Sequence, residues 1–189
     1  MTDLIEAPAP PLPEHLPFPE GGTRRPELDG ALRSFFDEES AALDERRHQE
    51  WLDLLDPLFL YQVPVPLLRE DPSLPRHSER AMLFEATKGV LAMKLGRMGL
   101  RHAWSDRPAG VTRHFLGSVR VFALSEPGTL RVDCSVLSTW SRGRDEGAFA
   151  TVGRQDVVRD LGAGMYRLLR RRVLFDTEVP THEQLSIIF

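Results

Sequence analysis

The apolar residues of this chain follow a helical period in its first third and an alternating period in its last half. From Leu28 onward they recur at intervals of three and four residues, as on one face of a helix, which Asp29 is placed to cap. From residue 129 to 140 they occupy alternate positions, as on the buried face of a strand. Helices followed by strands are typical of α+β folds, in which helices cover one face of a sheet.

The helical part is predicted in three pieces, with one strand among them. A helix from 29 to 44 ends at a short charged corner, and a second helix carries Trp51 and stops at Pro57. The broad apolar face of residues 79–98 predicts a third helix. Residues 58–66, LFLYQVPVP, favour a strand, and its prolines favour either the edge of a sheet or the ends of the strand, because proline lacks an N–H.

Four further strands are predicted at 112–124, 129–140, 147–159 and 165–176. Short polar turns separate them, so consecutive strands should pair as an antiparallel meander. The chain ends in the apolar residues LSIIF, and we expect this end to be anchored in the core rather than exposed to water.

The first 27 residues differ from the rest because seven of them are proline. Proline at this density excludes a helix or an inner strand, so residues 1–27 are predicted to form an extended arm before a single domain at 28–189. The pattern leaves open whether the arm docks on a neighbouring surface or remains free.

Composition narrows the class of protein. Apolar residues make up 41% of the chain and charged residues 28%, and the formal net charge is −4, which gives no reason to expect nucleic acid. No apolar run is long enough for a membrane span, and the N-terminus MTDLIEAPAP does not resemble a signal peptide, so a cytoplasmic location is predicted. The single cysteine, Cys134, lies in a predicted strand and is expected to be a small core residue.

Candidate chemistry is sparse. There is no nucleotide-binding glycine loop or nucleophile elbow, and no two of the six histidines are closer than twelve residues. His102 and His114, with Asp106 between them, come nearest to an acid–base site. We interpret them as turn and interface residues, because nothing orders them as a base with an orienting carboxylate. The arginine-rich run at 167–172 is either a solvated strand face or a strip of ion pairs at an interface.

Taken together, several segments resemble the small (beta) subunit of bacterial aromatic-ring-hydroxylating dioxygenases. The resemblance covers about residues 28–189 in the right order. The segments that carry it are Phe35-Phe36 to Leu43-Asp44, Glu50-Trp51-Leu52, Tyr61-Gln62-Val63-Pro64-Val65, Ala103-Trp104-Ser105-Asp106-Arg107-Pro108, Thr112-Arg113-His114-Phe115, Val119-Arg120-Val121, Gly153-Arg154-Gln155-Asp156-Val157-Val158-Arg159, Arg170-Arg171-Arg172-Val173-Leu174-Phe175-Asp176 and Leu185-Ser186-Ile187-Ile188-Phe189.

This resemblance implies a cystatin-like or NTF2-like cone, with N-terminal helices packed on a curved, mainly antiparallel sheet. It implies a non-catalytic subunit in aromatic-compound catabolism that assembles with a large (alpha) subunit and other beta subunits, as three of each. The Rieske 2Fe–2S cluster and the mononuclear non-haem iron are then expected on the alpha subunit. This chain is expected to carry no catalytic, cofactor-binding or metal residues.

Interface residues are expected in the turn before the first meander strand, in the basic final strand and in the tail. The candidates are Trp104, Asp106, Arg113, His114, Arg170, Arg172 and Phe189. The alternative is a free-standing dehydratase or isomerase of the same fold, since one fold supports many functions. It would use Tyr61, His102, Asp106 or His114 in the cone. An enclosed pocket faced by a His/Asp pair would favour that enzyme, and an apolar cone with His and Arg turned outward would favour the subunit.

Overall fold

A computed structural model describes residues 17–71, 73–98, 110–141, 143, 147–180 and 187–189. These residues form three α-helices and seven strands, with one 3-10 turn at Pro26–Leu28. In chain order the elements are β1 Thr23–Arg24, α1 Asp29–Asp44, α2 His48–Asp53, β2 Leu55–Pro66, β3 His77–Thr87, α3 Lys88–Met98, β4 Val111–Ala123, β5 Thr129–Ser141, β6 Ala148–Asp160 and β7 Tyr166–Phe175.

The described strands form one sheet in the order β1-β4-β5-β6-β7-β2-β3. The predicted antiparallel meander is confirmed in β4 to β7, with each strand within two residues of its expected ends. The strand β2 pairs with β7 in parallel, which the meander pattern did not predict. The fold is the expected α+β class, a large curved sheet with helices packed on one face.

That helix-covered face is the inner face of the sheet, and we call the space between it and the helices the cone interior. The apolar stripe of α1 enters it through the fully buried Leu32 and Phe36. Alternate residues of β5, including Val132 and Cys134, line it from the sheet side, as the alternation predicted. Cys134 is buried, which confirms its expected core position.

One prediction about the middle of the chain was wrong. Residues 79–98 are not one helix, because the strand β3 occupies their first half and α3 begins only at Lys88. Of the two positions expected for its prolines, β2 shows the second: it lies between β7 and β3 rather than at an edge, and Pro64 and Pro66 are at its C-terminal end. Its prolines are tolerated there because the pairing with β3 shifts register on both sides of Pro64, which interrupts the hydrogen-bond ladder.

The cap of the first helix and the end of the second differ from the prediction. Asp29 does not cap α1, because Leu28 holds the cap position without a side-chain hydrogen bond. Instead the Asp29 carboxylate accepts a hydrogen bond from the Val121 N–H at 3.1 Å and pairs with Arg24, which fastens α1 to β4. Helix α2 ends at Asp53, and Pro57 lies in the irregular start of β2.

The arm and the tail both contact the domain where they are described. Residues 23–24 pair with the far edge of β4, and Gly22 lies so close to Ala123 that an added Cβ would come 2.9 Å from its oxygen. Phe18 is buried, whereas residues 1–16 lie outside the described part of the chain. At the other terminus Ile188 and Phe189 are buried, which confirms the anchored end. No helix in the described residues is both long and apolar enough to cross a bilayer.

Candidate functional site

The centre of the cone interior is occupied by a buried network of charged side chains. Arg171 of β7 donates to Glu39 of α1 in a bidentate pair at 2.6 and 2.9 Å and to Asp156 of β6 at 2.6 Å. Arg154 pairs with the same two carboxylates, at 2.8 Å to Asp156 and 3.4 Å to Glu39. The indole of Trp51 donates to Glu39 at 2.9 Å. This network therefore joins both N-terminal helices to two central strands.

The charges of this network are fixed near neutral pH. Burial alone would raise the pKa of Glu39, but Arg171 and Arg154 lower it to about 2. Burial opposes the charge of Arg171, yet Asp156 and Glu39 raise the pKa of its guanidinium above the usual value. A general acid or base needs a pKa near the working pH, so these groups are suited to holding the fold together rather than to proton transfer.

His114 is the one member of the predicted His/Asp candidates that the structure describes in full. Its Nδ1 lies 2.7 Å from Asp44 Oδ1, at the end of α1, and its Nε2 lies 2.9 Å from the oxygen of Ile188. The side chain is buried, and both ring nitrogens are engaged within the chain. The carboxylate that it contacts is therefore Asp44, while His102, Trp104 and Asp106 lie outside the described residues.

Tyr61 and Phe189 complete the filling of the cone interior. The Phe189 N–H donates to the Tyr61 hydroxyl at 3.2 Å, and Arg171 donates to the Phe189 oxygen at 2.7 Å. Burial raises the pKa of the Tyr61 hydroxyl to about 12. The outcome matches neither expected extreme, because His114 and Arg171 face inward and both contact the chain's own residues 188–189. The enzyme alternative is accordingly not favoured.

The other face of the sheet, which we call the outer face, carries Arg170 and Arg172. Their guanidinium groups lie over the ring of Phe18, with 5.1 and 5.9 Å to its centroid, and Arg170 also donates to the Pro17 oxygen at 3.0 Å. Burial lowers the pKa of both arginines. The basic strip expected at an interface therefore already binds the chain's own arm. Arg171, between them, was wrongly grouped with this strip, because alternation along β7 turns it inward.

An apolar patch lies at the opposite end of the outer face, and sequence reasoning missed it. Phe115, Leu137 and Phe149 lie on neighbouring strands β4, β5 and β6, and the two phenylalanines are 55% and 67% exposed. We call these three residues, with Arg113 beside them, the outer patch. Beside them is a shallow depression of about 370 Å³, with Gly117, Ser135 and Gly153 among the residues that line it. The sequence does contain a signal: Phe115, Leu137 and Phe149 are apolar at positions where strand alternation predicts outward-facing polar residues.

Where the structure describes the chain, no group of three His, Cys, Asp or Glu side chains is arranged to hold a metal ion. The expected interface residues divide into four groups, of which the first, Arg170 and Arg172, contacts the arm at Phe18. His114 and Phe189 are buried within this chain, Trp104 and Asp106 lie outside the described residues, and Arg113 remains exposed.

Helices on a large curved sheet, with the cone interior filled by ions and aromatic rings, define a protein of the NTF2-like class. A model of the family described as the ring hydroxylating beta subunit matches residues 38–181. The chain belongs to this family and is a beta subunit of the ring-hydroxylating dioxygenase type.

Solved structures agree with this fold. A naphthalene 1,2-dioxygenase with indole bound in its active site matches with a TM-score of 0.75 at 17% identity, covering 86% of each chain. The beta subunit of a putative aromatic-ring-hydroxylating dioxygenase from Novosphingobium aromaticivorans has a TM-score of 0.62 at 23% identity, covering 85% of this chain and 95% of that one. A putative scytalone dehydratase from the same organism has a TM-score of 0.56 at 15% identity, covering 81% and 88%.

Proposed function

We propose that this beta subunit is non-catalytic and supports the iron-containing alpha subunit of an aromatic-ring-hydroxylating dioxygenase in the breakdown of aromatic compounds. The proposed assembly contains three alpha and three beta subunits, in the cytoplasm, without a nucleic acid or membrane partner. The Rieske cluster and the mononuclear iron belong, in this proposal, to the alpha subunit.

The observation that carries the non-catalytic role is the filled cone interior. Arg171, Glu39 and Asp156 occupy the centre of the cone and are paired with one another. His114 has both ring nitrogens engaged, so neither is available to a substrate. Such an interior stabilises a subunit and leaves the reaction to its partner.

The outer patch is the proposed contact surface of this subunit. At about 150–250 Å² for a whole aromatic side chain, the exposed fractions of Phe115 and Phe149 leave roughly 100 Å² of each open to water. With Leu137 the open apolar area is roughly 300 Å², within the range of the largest apolar patch on a typical monomer, which is often functional. A stable interface buries about 800 Å² on each partner, so we expect the patch to be its centre and Arg113 part of its rim. Trp104 and Asp106 remain proposed members of that rim.

The test is co-purification of the chain with a co-expressed alpha subunit, followed by light scattering to measure mass. The wild-type chain is expected to elute with the alpha subunit in equal amounts. Phe149→Glu should reduce the co-purified amount at least tenfold, because it buries a charge at the centre of the interface, without changing the circular dichroism spectrum of the free chain. Leu161→Glu, at a side chain that is 48% exposed just beyond the opposite end of β6 from Phe149, is the matched control and should leave assembly unchanged.

Two results would contradict the proposal. A stable monomer that ignores the alpha subunit would exclude the role in assembly. Stoichiometric iron or labile sulfide with oxygenase activity, in a preparation free of alpha subunit, would exclude the non-catalytic role.

A further inference from the structure

The last residues of the chain, 187–189, lie in the cone interior without joining the sheet. Among the described residues, no backbone–backbone hydrogen bond links them to another segment. They are held by side chains from three strands instead: His114 contacts the Ile188 oxygen, Tyr61 accepts from the Phe189 N–H, and Arg171 donates to the Phe189 oxygen. Convergent polar side chains of this kind are how a protein holds a bound ligand in a pocket.

The ring of Phe189 is held in the same manner. It is 1% exposed, and it meets the ring of Phe175 edge to face, with centroids 5.3 Å apart and planes at 83°. The imidazole of His114 approaches it at 6.4 Å and 89°. Edge-to-face contacts of this geometry select a flat aromatic ring over an aliphatic group of similar volume.

We propose that the cone interior is a binding site for an aromatic ring with an adjacent acceptor oxygen, and that this chain fills the site in cis with Phe189. The inference does not depend on assembly with an alpha subunit, because every contact lies within one chain. It gives the buried end of the chain a role, because the chain itself supplies the occupant of the site.

A ligand in this site must carry an acceptor oxygen, because the guanidinium of Arg171 presents a buried hydrogen-bond donor there. The Nη1 group of Arg171 has two N–H bonds, one donated to Glu39 at 2.6 Å and one to the Phe189 oxygen at 2.7 Å. Without the tail the second N–H would be a buried donor without a partner, which costs more than a lost hydrogen bond between exposed groups. A ligand that replaces the tail must therefore bring an oxygen to Arg171 as well as a ring to Phe175.

The ring half of the proposal is tested with Phe189→Ala in the full-length chain, using benzene as the probe because it replaces the deleted phenyl group. At ten times its Kd, benzene should raise the melting temperature of this variant by about 3–6 °C. The wild-type chain should not respond, because its site is filled. Phe18→Ala is the matched control, since Phe18 is also buried but lies on the outer face of the sheet. No response of Phe189→Ala, or an equal response of Phe18→Ala, overturns the proposal.

The oxygen half is tested by deleting residues 187–189 and comparing two probes with the same ring, 3-phenylpropionate and propylbenzene. We expect 3-phenylpropionate to bind at least tenfold more tightly in calorimetry, because its carboxylate can accept from Arg171. Equal affinities would overturn the oxygen requirement. If either variant is unfolded alone, recovery of its circular dichroism spectrum on adding the matching probe becomes the readout. Failure to recover counts against the proposal, and failure of assembly in the co-purification test does not bear on it.

Discussion

Replacing Arg171 with methionine tests whether the buried network holds the fold together. Arg171 is fully buried, and the substitution removes three hydrogen bonds to carboxylates and one to the Phe189 oxygen. Methionine fills a similar volume with an unbranched, flexible side chain, so the effect of a cavity is small. What remains is Glu39 and Asp156, two buried carboxylates that share the single guanidinium of Arg154.

The magnitude follows from the electrostatics of Glu39. Although burial would raise the pKa of this carboxyl, the two arginines lower it from 4.5 to about 2, and a shift of that size corresponds to about 3 kcal/mol at neutral pH. Breaking a buried ion pair by removing one partner costs about 3–5 kcal/mol in measured cases. We therefore expect Arg171→Met to lower the free energy of unfolding by about 3–5 kcal/mol, a large part of the stability of an ordinary domain.

The assay is urea denaturation at pH 7, followed by circular dichroism and by tryptophan fluorescence, to which the buried Trp51 contributes. Arg170→Met is the matched control: it is the adjacent residue, but it faces outward over Phe18 and donates to the buried Gln62, and its loss should cost about 1–2 kcal/mol. The double variant Glu39→Gln/Arg171→Met should be more stable than Arg171→Met, because it leaves Arg154 and Asp156 as a neutral pair. Equal losses in the two single arginine variants would refute the reasoning.

Three further predictions follow from the same contacts. The folded pKa of Glu39 lies below its unfolded value, so its contribution to the free energy of unfolding is complete above about pH 4.5 and is lost as the pH falls toward 2. The urea midpoint of the wild-type chain should therefore drop over this pH window, and that of Glu39→Gln should drop less. Burial raises the pKa of Cys134, so a thiol reagent should label it only after denaturation. Phe18→Ala should cost about 2 kcal/mol and speed protease cleavage at Gly21-Gly22, with the circular dichroism spectrum unchanged.

The parts of the fold that the sequence predicts well are those whose signals are local. The strands β4 to β7 have alternating residues and short polar turns between them, and such a pattern depends on nothing distant. The strand β3 lacks this pattern, because Ala81, Met82, Leu83 and Phe84 form a continuous apolar run that also fits a helix. Its true state is decided by pairing with β2, and that of β2 by a parallel pairing with β7, more than a hundred residues away. The periodicity of residues within one segment does not reveal contacts between segments so far apart in the sequence.

The buried network was predictable in part. Glu39 is three residues after Phe36 and four before Leu43, on the stripe that the helical period assigns to the core. Arg171 alternates with Val173 and Phe175 along β7, which places it on the buried face. A buried charge is costly unless it is paired, so a buried carboxylate and a buried guanidinium on neighbouring elements are expected to pair. The two patterns together therefore imply the ion pair of Glu39 with Arg171. The contact of His114 with Asp44 carries no such signal, because it depends on where α1 ends relative to β4.

Residues 187–189 and the buried charge network are held by different kinds of contact. We therefore expect the tail to open locally before the network separates. Glu39, Asp156 and Arg171 lie on elements held by helix or sheet hydrogen bonds, so separating them requires unfolding of those elements. Among the described residues, 187–189 make no backbone hydrogen bond to another segment and are held by side chains, and local opening favours segments without a backbone ladder. Opening of the tail leaves Arg171 paired with both carboxylates, so the network can survive it. The tail can therefore exchange with a ligand while the cone stays folded, as occupancy in cis requires.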